Sequence, residues 1–257
     1  MNETIPQAFA AAVRHDPAAP LLTWYDDGPS NRPGAALDRT EGRAEDRAEL
    51  SGATLDNWVA KTANLLIDGA GLGHGDTVAV LLPPHWQTAA IVLGASAAGL
   101  AVDLGGPPRA VEGVVATPDR VAEAAGWPSG ERYATGLLPL AMPLREVPPG
   151  FVDFPTEVRT HGDHFAPVQP VDPHDEALAG PVPMSHLAVS RTAIQRAAEL
   201  GIAAGDRVLI DTRTHPDPLD WLFAPLFAGA SVVLCAHLDE AKLTDRASAE
   251  RVTVVLT

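Results

Sequence analysis

The stretch Ser51–Leu104, SGATLDNWVAKTANLLIDGAGLGHGDTVAVLLPPHWQTAAIVLGASAAGLAVDL, decides how this chain folds. Thr54 is placed to cap a helix. Leu55, Trp58, Val59, Thr62, Ala63, Leu65 and Leu66 then recur at three-to-four spacing, as a core-facing helix requires. Gly69, Gly71, Gly73 and Gly75 end that helix and permit a tight turn. The run Thr77–Leu82 suits a parallel strand covered on both faces, and Pro83-Pro84 stops it. His85–Ala98 fits a second, small-residue helix, and Leu100–Leu104 a second strand. Strand, crossover helix and parallel strand make a right-handed βαβ unit.

The unit has an echo 130 residues later. Leu72 meets Ile202, Gly75 meets Gly205, Asp76 meets Asp206, Val78 meets Val208 and Val80 meets Ile210. Further on, His85 meets His215, Gly99 meets Gly229, Val102 meets Val232 and Leu104 meets Leu234. The repeat predicts that residues 55–104 and 185–234 are equivalent helix–strand–helix–strand units. The expected fold class is therefore α/β: two related, parallel-type βαβ layers stacked with helices between and outside.

These residues carry a resemblance. Leu72-Gly73-His74-Gly75-Asp76-Thr77-Val78-Ala79-Val80-Leu81-Leu82-Pro83, followed by a helix and Ala98-Gly99, resembles the N-terminal region of the adenylate-forming (AMP-binding) superfamily of acyl-CoA synthetases, adenylation domains and luciferases. Met184-Ser185-His186-Leu187, then Gly205-Asp206-Arg207-Val208-Leu209 and Ala228-Gly229-Ala230-Ser231-Val232-Val233-Leu234, is similar to a later passage of the same family. The likeness covers nearly all of this chain and about the first half of the family's. The adenine motif, the ribose-binding Asp and the C-terminal domain with its catalytic lysine have no counterpart here, so the resemblance implies a truncated member. The matching motifs are architectural, and they argue for fold more than for chemistry.

Composition narrows the functional classes. The chain has 257 residues, with 18 Lys+Arg against 33 Asp+Glu and a formal charge of −15. Such a surface repels nucleic acid and anionic membranes, so neither is expected as a partner. Cys235 is the single cysteine, at the end of an apolar strand, which fits core packing and a reducing cytoplasm. The most apolar run, Ala89–Leu104, is broken by Gly94 and Gly99 and is too short for a membrane span.

In chain order, Pro6–Arg14 reads as helix and Leu21–Tyr25 as strand. The Gly/Pro- and charge-rich segment 26–49 reads as an enlarged, mobile hairpin loop. Gly113–Thr117 reads as strand, Pro118–Ala125 as helix and Ala134–Ala141 as a further strand. Leu238–Glu250 reads as helix and Arg251–Leu256 as a buried strand. The division expected is a first subdomain over 1–142, a connecting segment over 143–180 and a second, incomplete subdomain over 181–257. The connection carries His161, Asp163, His164, His174 and Asp175, but no metal-binding motif organises them, and no metal is expected.

Function turns on His174–Ser190. In the resembled family a Ser/Thr/Gly-rich loop ending in Pro-Lys-Gly holds the ATP phosphates at this place. Here Ala179-Gly180-Pro181-Val182-Pro183 leads straight to Met184-Ser185-His186, without the hydroxyl run or the lysine. Two prolines remove amide donors, and Asp175 and Glu176 repel phosphate. Ser185 and His186 adjoin, but no nucleophile-elbow pattern surrounds them, and Ser185 reads as an N-cap. Gly180, Met184, Ser185, His186, His215 and Asp217 are the candidate lining of any remaining pocket, with no catalytic residue among them. The expectation is a non-catalytic superfamily member that binds a small ligand or a protein, needs no cofactor, and self-associates or has its C-terminal strand covered by a partner. The alternative is half of a split or vestigial acyl-activating ligase completed by another chain, which would use ATP/AMP or CoA.

Overall fold

The computed structural model describes residues 3–28 and 46–257. The first elements are α1 (Ile5–His15), β1 (Pro20–Asp26), β2 (Asp46–Ser51) and α2 (Gly52–Asn64), the last continued by a π turn over Leu65–Gly69. Ser51, not Thr54, caps α2. The backbone is still extended at Ser51, and its Oγ accepts from the Thr54 amide at 3.2 Å. The chain goes on through β3 (Thr77–Leu81), α3 (Trp86–Ala97), β4 (Ala101–Asp103), β5 (Gly113–Ala116), α4 (Val121–Ala124) and β6 (Glu131–Ala134). Then come β7 (Val152–Asp153), α5 (Phe154–Val158), β8 (Glu176–Ala179), β9 (Met184–Ser185) and α6 (His186–Glu199). The last elements are β10 (Arg207–Asp211), a π turn over Leu219–Phe223 running into α7 (Ala224–Ala228), β11 (Ser231–Ala236), α8 (Leu243–Ala249) and β12 (Val254–Leu256).

The repeat holds in detail. β3 pairs in parallel with β4, Val78 opposite Val102, and β10 with β11, Val208 opposite Val232. The Gly75 amide donates to the Gly99 carbonyl at 2.9 Å, and Gly205 to Gly229 at 3.0 Å. Asp76 Oδ2 accepts from the Gly73 amide, and Asp206 Oδ2 from Ala203, both at 2.7 Å. Gly71, Gly75 and Gly99 have φ of 70°, 88° and 75°, and their counterparts Gly201, Gly205 and Gly229 have 71°, 83° and 78°. Only glycine adopts this left-handed backbone without strain, which is why these positions keep it.

Two sheets result: a seven-stranded one ordered β7-β6-β5-β3-β4-β8-β9 and a five-stranded one ordered β12-β10-β11-β1-β2. Each unit is preceded by an antiparallel hairpin, β1–β2 or β8–β9, and each hairpin has an irregular register at its second residue, between Pro20 and Leu22 or Glu176 and Leu178. The hairpins are exchanged. β1 lies beside β11 of the later unit, Leu22 opposite Val232, and β8 lies beside β4 of the earlier one, Leu178 opposite Val102. Sheet membership therefore does not follow a division of the chain at 142 and 180. The segment 143–180 supplies β7 and β8 to the seven-stranded sheet, and β1–β2 belong to the five-stranded one.

The inner faces of both sheets share one core. Val78, Val80 and Val102 of the first sheet and Val208, Ile210 and Val232 of the second pack with Ile5, Leu55, Ile91, Val189 and Trp221 between them. Alternate residues face outward. Ala79, Leu81 and Val114 meet Trp127, while Tyr25, Leu209, Val233 and Cys235 lie under Leu238 with Leu243 of α8 against them. Cys235 is fully buried, and burial pushes its thiol up to about 11.

Several expectations are corrected. Of the loop expected over 26–49, residues 29–45 lie outside the described residues, while Asp46–Glu49 form strand against β1. That pairing is long-range and leaves little apolar periodicity in DRAELS. The strand expected over Ala134–Ala141 sits earlier, at β6, and Pro139–Ala141 is a 3-10 turn. Leu238–Glu250 is helical only from Glu240, first as a 3-10 turn. β12 is shorter than Arg251–Leu256 and is not buried, because β10 covers one edge and no described strand covers the other.

Where α2 and α3 cross, a Cβ at Gly94 would lie 2.7 Å from Thr62 Cβ and 2.9 Å from the Val59 carbonyl oxygen. Gly94→Ala should therefore force the helices apart and cost about 1–3 kcal/mol despite its better helix propensity. Urea unfolding checks this.

Candidate functional site

The sequence-level candidates divide into two groups. The first sits on the β8–β9 hairpin and the start of α6. β8 and β9 are joined by Gly180-Pro181-Val182-Pro183, where Gly180 has φ 145° and Val182 is exposed. Met184 and Ser185 form β9 opposite Leu178 and Glu176. Ser185 ends the strand in extended conformation, and its Oγ accepts from the Ala188 amide at 3.2 Å, capping α6.

His186 follows as the first helical residue and is fully buried. Its amide donates to the Asp175 carbonyl at 3.1 Å, and its Nδ1 accepts from the Ile5 amide at 3.4 Å. That places the ring proton on Nε2, which is buried with no hydrogen-bond partner. Burial pushes the imidazole down to about 4, with Asp175 pulling the other way and His74 adding to the drop. His186 is thus neutral near pH 7 and serves as an acceptor for the start of α1. Asp175 Oδ2 pairs with His74 Nε2 at 3.1 Å and accepts from the Asp172 amide at 2.8 Å.

The second group follows the C-terminal end of β10. Asp211 is buried and accepts from Arg213 at 2.8 Å through Nη2. Burial alone would raise Asp211, but the bonds from Arg213 and its amide hold the carboxyl below its usual range. His215 Nδ1 lies 3.0 Å from Asp220 Oδ2, and Arg196 grips the same carboxylate through Nε at 2.7 Å and Nη2 at 3.0 Å. These bonds, Arg196 first, lower Asp220 against the opposing effect of burial. Asp217 is exposed and accepts from the Leu219 amide at 2.8 Å, capping the next turn.

The structure keeps these groups apart in their anchoring. Met184 and Ser185 pair with β8, and His186 is tied to α1 and the Asp175 carbonyl, whereas His215 is tied to Asp220, whose carboxylate Arg196 also holds. Arg196 is ten residues past His186, about 15 Å along α6. Two neighbouring clefts of about 680 and 500 Å³ lie instead at the N-terminal ends of the five-stranded sheet, around Pro20, Gly205 and Ser231, and none of the six candidates lines them. The other buried His is His85. It caps α3, with Nδ1 accepting from the Gln87 amide at 3.1 Å, and its ring meets Trp24 at 4.4 Å; burial pushes it down to about 3. His215, the residue at its repeat position, is only half-buried.

Sequence reasoning missed the most concentrated electrostatics. Glu250 accepts from Tyr25 Oη at 2.5 Å, from Arg207 Nη2 at 2.5 Å and from Arg47 Nη2 at 2.9 Å. Burial would raise Glu250, but these three donors bring it down to about 2. Asp27 likewise resists burial, held well below the carboxylate range by Arg246, the Asp239 amide and Lys242. Pairs up to 225 residues apart leave no local sequence signal.

Among the described residues, no group of three or more His, Cys, Asp or Glu is arranged to hold a metal ion, and no helix is long and apolar enough to cross a membrane. No family model matches the chain. A Mycobacterium tuberculosis protein described as "TIGR03089 family protein" is 38% identical over 265 residues, spanning 98% of this chain and all of that one. The N-terminal domain of FACL13 from the same organism, solved with an inhibitor, superposes with a TM-score of 0.68 at 14% identity, over 98% of this chain and 62% of that one. A M. tuberculosis fatty acyl CoA synthetase gives 0.66 at 14% identity, and a Brucella canis acyl-CoA synthetase gives 0.65 at 19%. The chain covers 49% and 46% of those two enzymes, about half their length. The chain thus belongs to the TIGR03089 family, and its fold is that of the N-terminal region of adenylate-forming acyl-CoA synthetases.

Proposed function

We propose that this chain is a non-catalytic member of the adenylate-forming superfamily and works as a binding module, for a small ligand or another protein. The observation that carries this reading is the tight turn Gly180–Pro183, in the place of a phosphate-holding loop. It offers no lysine and no hydroxyl, and two of its four residues lack an amide proton. The adjacent Ser185 hydroxyl is engaged as a helix cap, and His186 is buried and neutral.

Adenylation of a carboxylic acid needs donors on the ATP phosphates and positive charge on the developing transition state. Losing one such donor costs roughly 100- to 1,000-fold in comparable sites. With several missing, ATP–pyrophosphate exchange across fatty, aromatic and amino acids should stay at the level of a boiled control. Exchange above that level, abolished by His215→Ala, would sink the proposal and put in its place half of a split acyl-activating ligase. A thermal-shift screen with nucleotides, CoA and carboxylic acids reports any ligand that binds the folded chain, since such a ligand raises its stability.

A further inference from the structure

We propose that the cleft between Ala19, Ala204 and Gly229 binds a small aromatic base, an imidazole ring fused to an apolar ring, laid flat against the Gly229 backbone. This rests on reading the chain as a binding module and names the class of its ligand.

The internal repeat shows what is missing there. The turn before each hairpin is built the same way. Ahead of β1, the Pro17 carbonyl accepts from the Ala53 amide at 2.8 Å and the Ala19 carbonyl from Gly52 at 3.1 Å. Ahead of β8, the Pro173 carbonyl accepts from the Leu187 amide at 2.8 Å and the Asp175 carbonyl from His186 at 3.1 Å. Asp16 Oδ1 takes the Ala18 amide at 3.1 Å, and Asp172 Oδ1 takes His174 at 2.8 Å. Pro20 then lies opposite Ser51, and Glu176 opposite Ser185. Ala19 and Asp175 are therefore counterparts. So are Ala204 and His74, each one residue ahead of the matched Gly205 or Gly75.

In the earlier unit the slot is filled. His74 packs on Gly99 so closely that a Cβ there would lie 2.3 Å from the ring Nδ1, and His74 Nε2 pairs with Asp175 Oδ2 at 3.1 Å. In the later unit both positions are alanine. Gly229 keeps the backbone of Gly99, with φ of 78° against 75°, yet within 4 Å a Cβ on it would meet only Ala204 Cβ, at 3.9 Å. The cleft of about 680 Å³ takes in the space where the earlier unit has an imidazole and a carboxylate. It lies at the other end of the sheet from Asp26, opposite Ala236, and Leu256, opposite Ile210, where the chain leaves β1 and β12.

Shape and charge choose the ligand. A flat ring can lie on Gly229 as the His74 ring lies on Gly99. Ala8 and Ala12 of α1 and Leu226 and Phe227 of α7 carry the cleft well past the size of one imidazole, so the ring needs an apolar extension. Asp16 stands on the lining. Its Oδ1 is held by the Ala18 and Ala19 amides at 3.1 Å each, and Oδ2 is a further acceptor for a ring N–H. Asp206 borders the cleft as well, and His15 is the one basic side chain on it. On a chain of net charge −15, that lining favours a base over an acid.

The test uses the full chain and benzimidazole as the probe, followed by NMR. Millimolar benzimidazole should shift the Gly229 amide and give nuclear Overhauser contacts from its ring protons to the Ala19 and Ala204 methyls. Indene, which has the same shape without nitrogen, should bind at least about tenfold more weakly, the worth of one hydrogen bond. The double variant Ala19→Asp with Ala204→His rebuilds the pair of the earlier unit and should lose benzimidazole binding by a similar factor. Ala204→Leu, which only fills the slot, should do the same. No shift at millimolar benzimidazole, ring contacts to other methyls, equal binding of indene, or unchanged binding in folded Ala204→Leu would each overturn the proposal. Pyrophosphate exchange measured on the same sample separates the two readings, because a positive result there defeats the non-catalytic assignment without altering the ring contacts.

Discussion

Replacing Glu250 by alanine should lower the unfolding free energy by about 3–5 kcal/mol, the usual cost of leaving a buried charge cluster without its central counter-ion. Glu250 is 8% exposed and holds Arg207, Arg47 and the Tyr25 hydroxyl together. Arg207 is itself 14% exposed, so its guanidinium would stay largely out of water, near Arg47 and without a carboxylate between them. Glu250→Gln should recover part of the loss, because it keeps an acceptor of the same shape. Glu199→Ala is the contrast. Its bond to Arg196 is half-exposed, and removing it should change stability by less than about 1 kcal/mol. Urea unfolding of the three variants measures both effects, and equal losses from Glu250→Ala and Glu199→Ala would contradict the account.

Acidification should destabilise the protein in two stages. His85 and His186 stay neutral when folded, pushed down by burial to about 3 and about 4, whereas each takes up a proton near pH 6.5 when unfolded. Unfolding therefore binds protons below pH 6.5. Stability should fall with pH by up to about 1.4 kcal/mol per pH unit for each His, until the folded-state values are reached. Glu250 has the same relation in a lower pH window, with a folded value near 2 against 4.5. Its contribution is complete above pH 4.5 and is lost as pH drops toward 2. Denaturant midpoints taken from pH 7 to pH 4.5 should thus decline before the carboxylates titrate. His85→Asn keeps a cap acceptor and removes one titrating ring, so it should flatten the slope even if it lowers the plateau. A flat profile between pH 7 and 5 would refute the assignment of buried neutral His.

Much of this fold was legible because the signals are local. The glycines at 71, 75 and 99 and their partners at 201, 205 and 229 mark positions where only a left-handed backbone closes the turn. The capping role of Ser185 was readable from the residue type just ahead of a helix. What stayed hidden depends on tertiary partners. β2 offers little pattern because its place is set by β1 and by the Arg47–Glu250 contact across the molecule. The reading of Arg251–Leu256 as buried failed because burial belongs to neighbours, and three apolar residues look alike beside one strand or two. The candidate site was gathered from repeat position and resemblance. Equivalent positions took different roles once His85 was enclosed against Trp24 and His215 was given Asp220.

The exchanged hairpins set a timetable for synthesis. β1 and β2 leave the ribosome early, yet the edge they must join, β11, is translated about 180 residues later. At the usual elongation rate of about 5–20 residues per second, the first hairpin waits on the order of ten to forty seconds with Leu22 and Trp24 unsheltered by their own sheet. β8 and β9 wait for nothing, since β4 is already made when they emerge. The seven-stranded sheet can therefore assemble while translation continues, and the five-stranded sheet closes only afterwards, drawing the oldest part of the chain onto the newest. A trigger-factor-like holdase should accordingly contact the segment around Leu21–Tyr25 longest, and slowing translation should lengthen that contact.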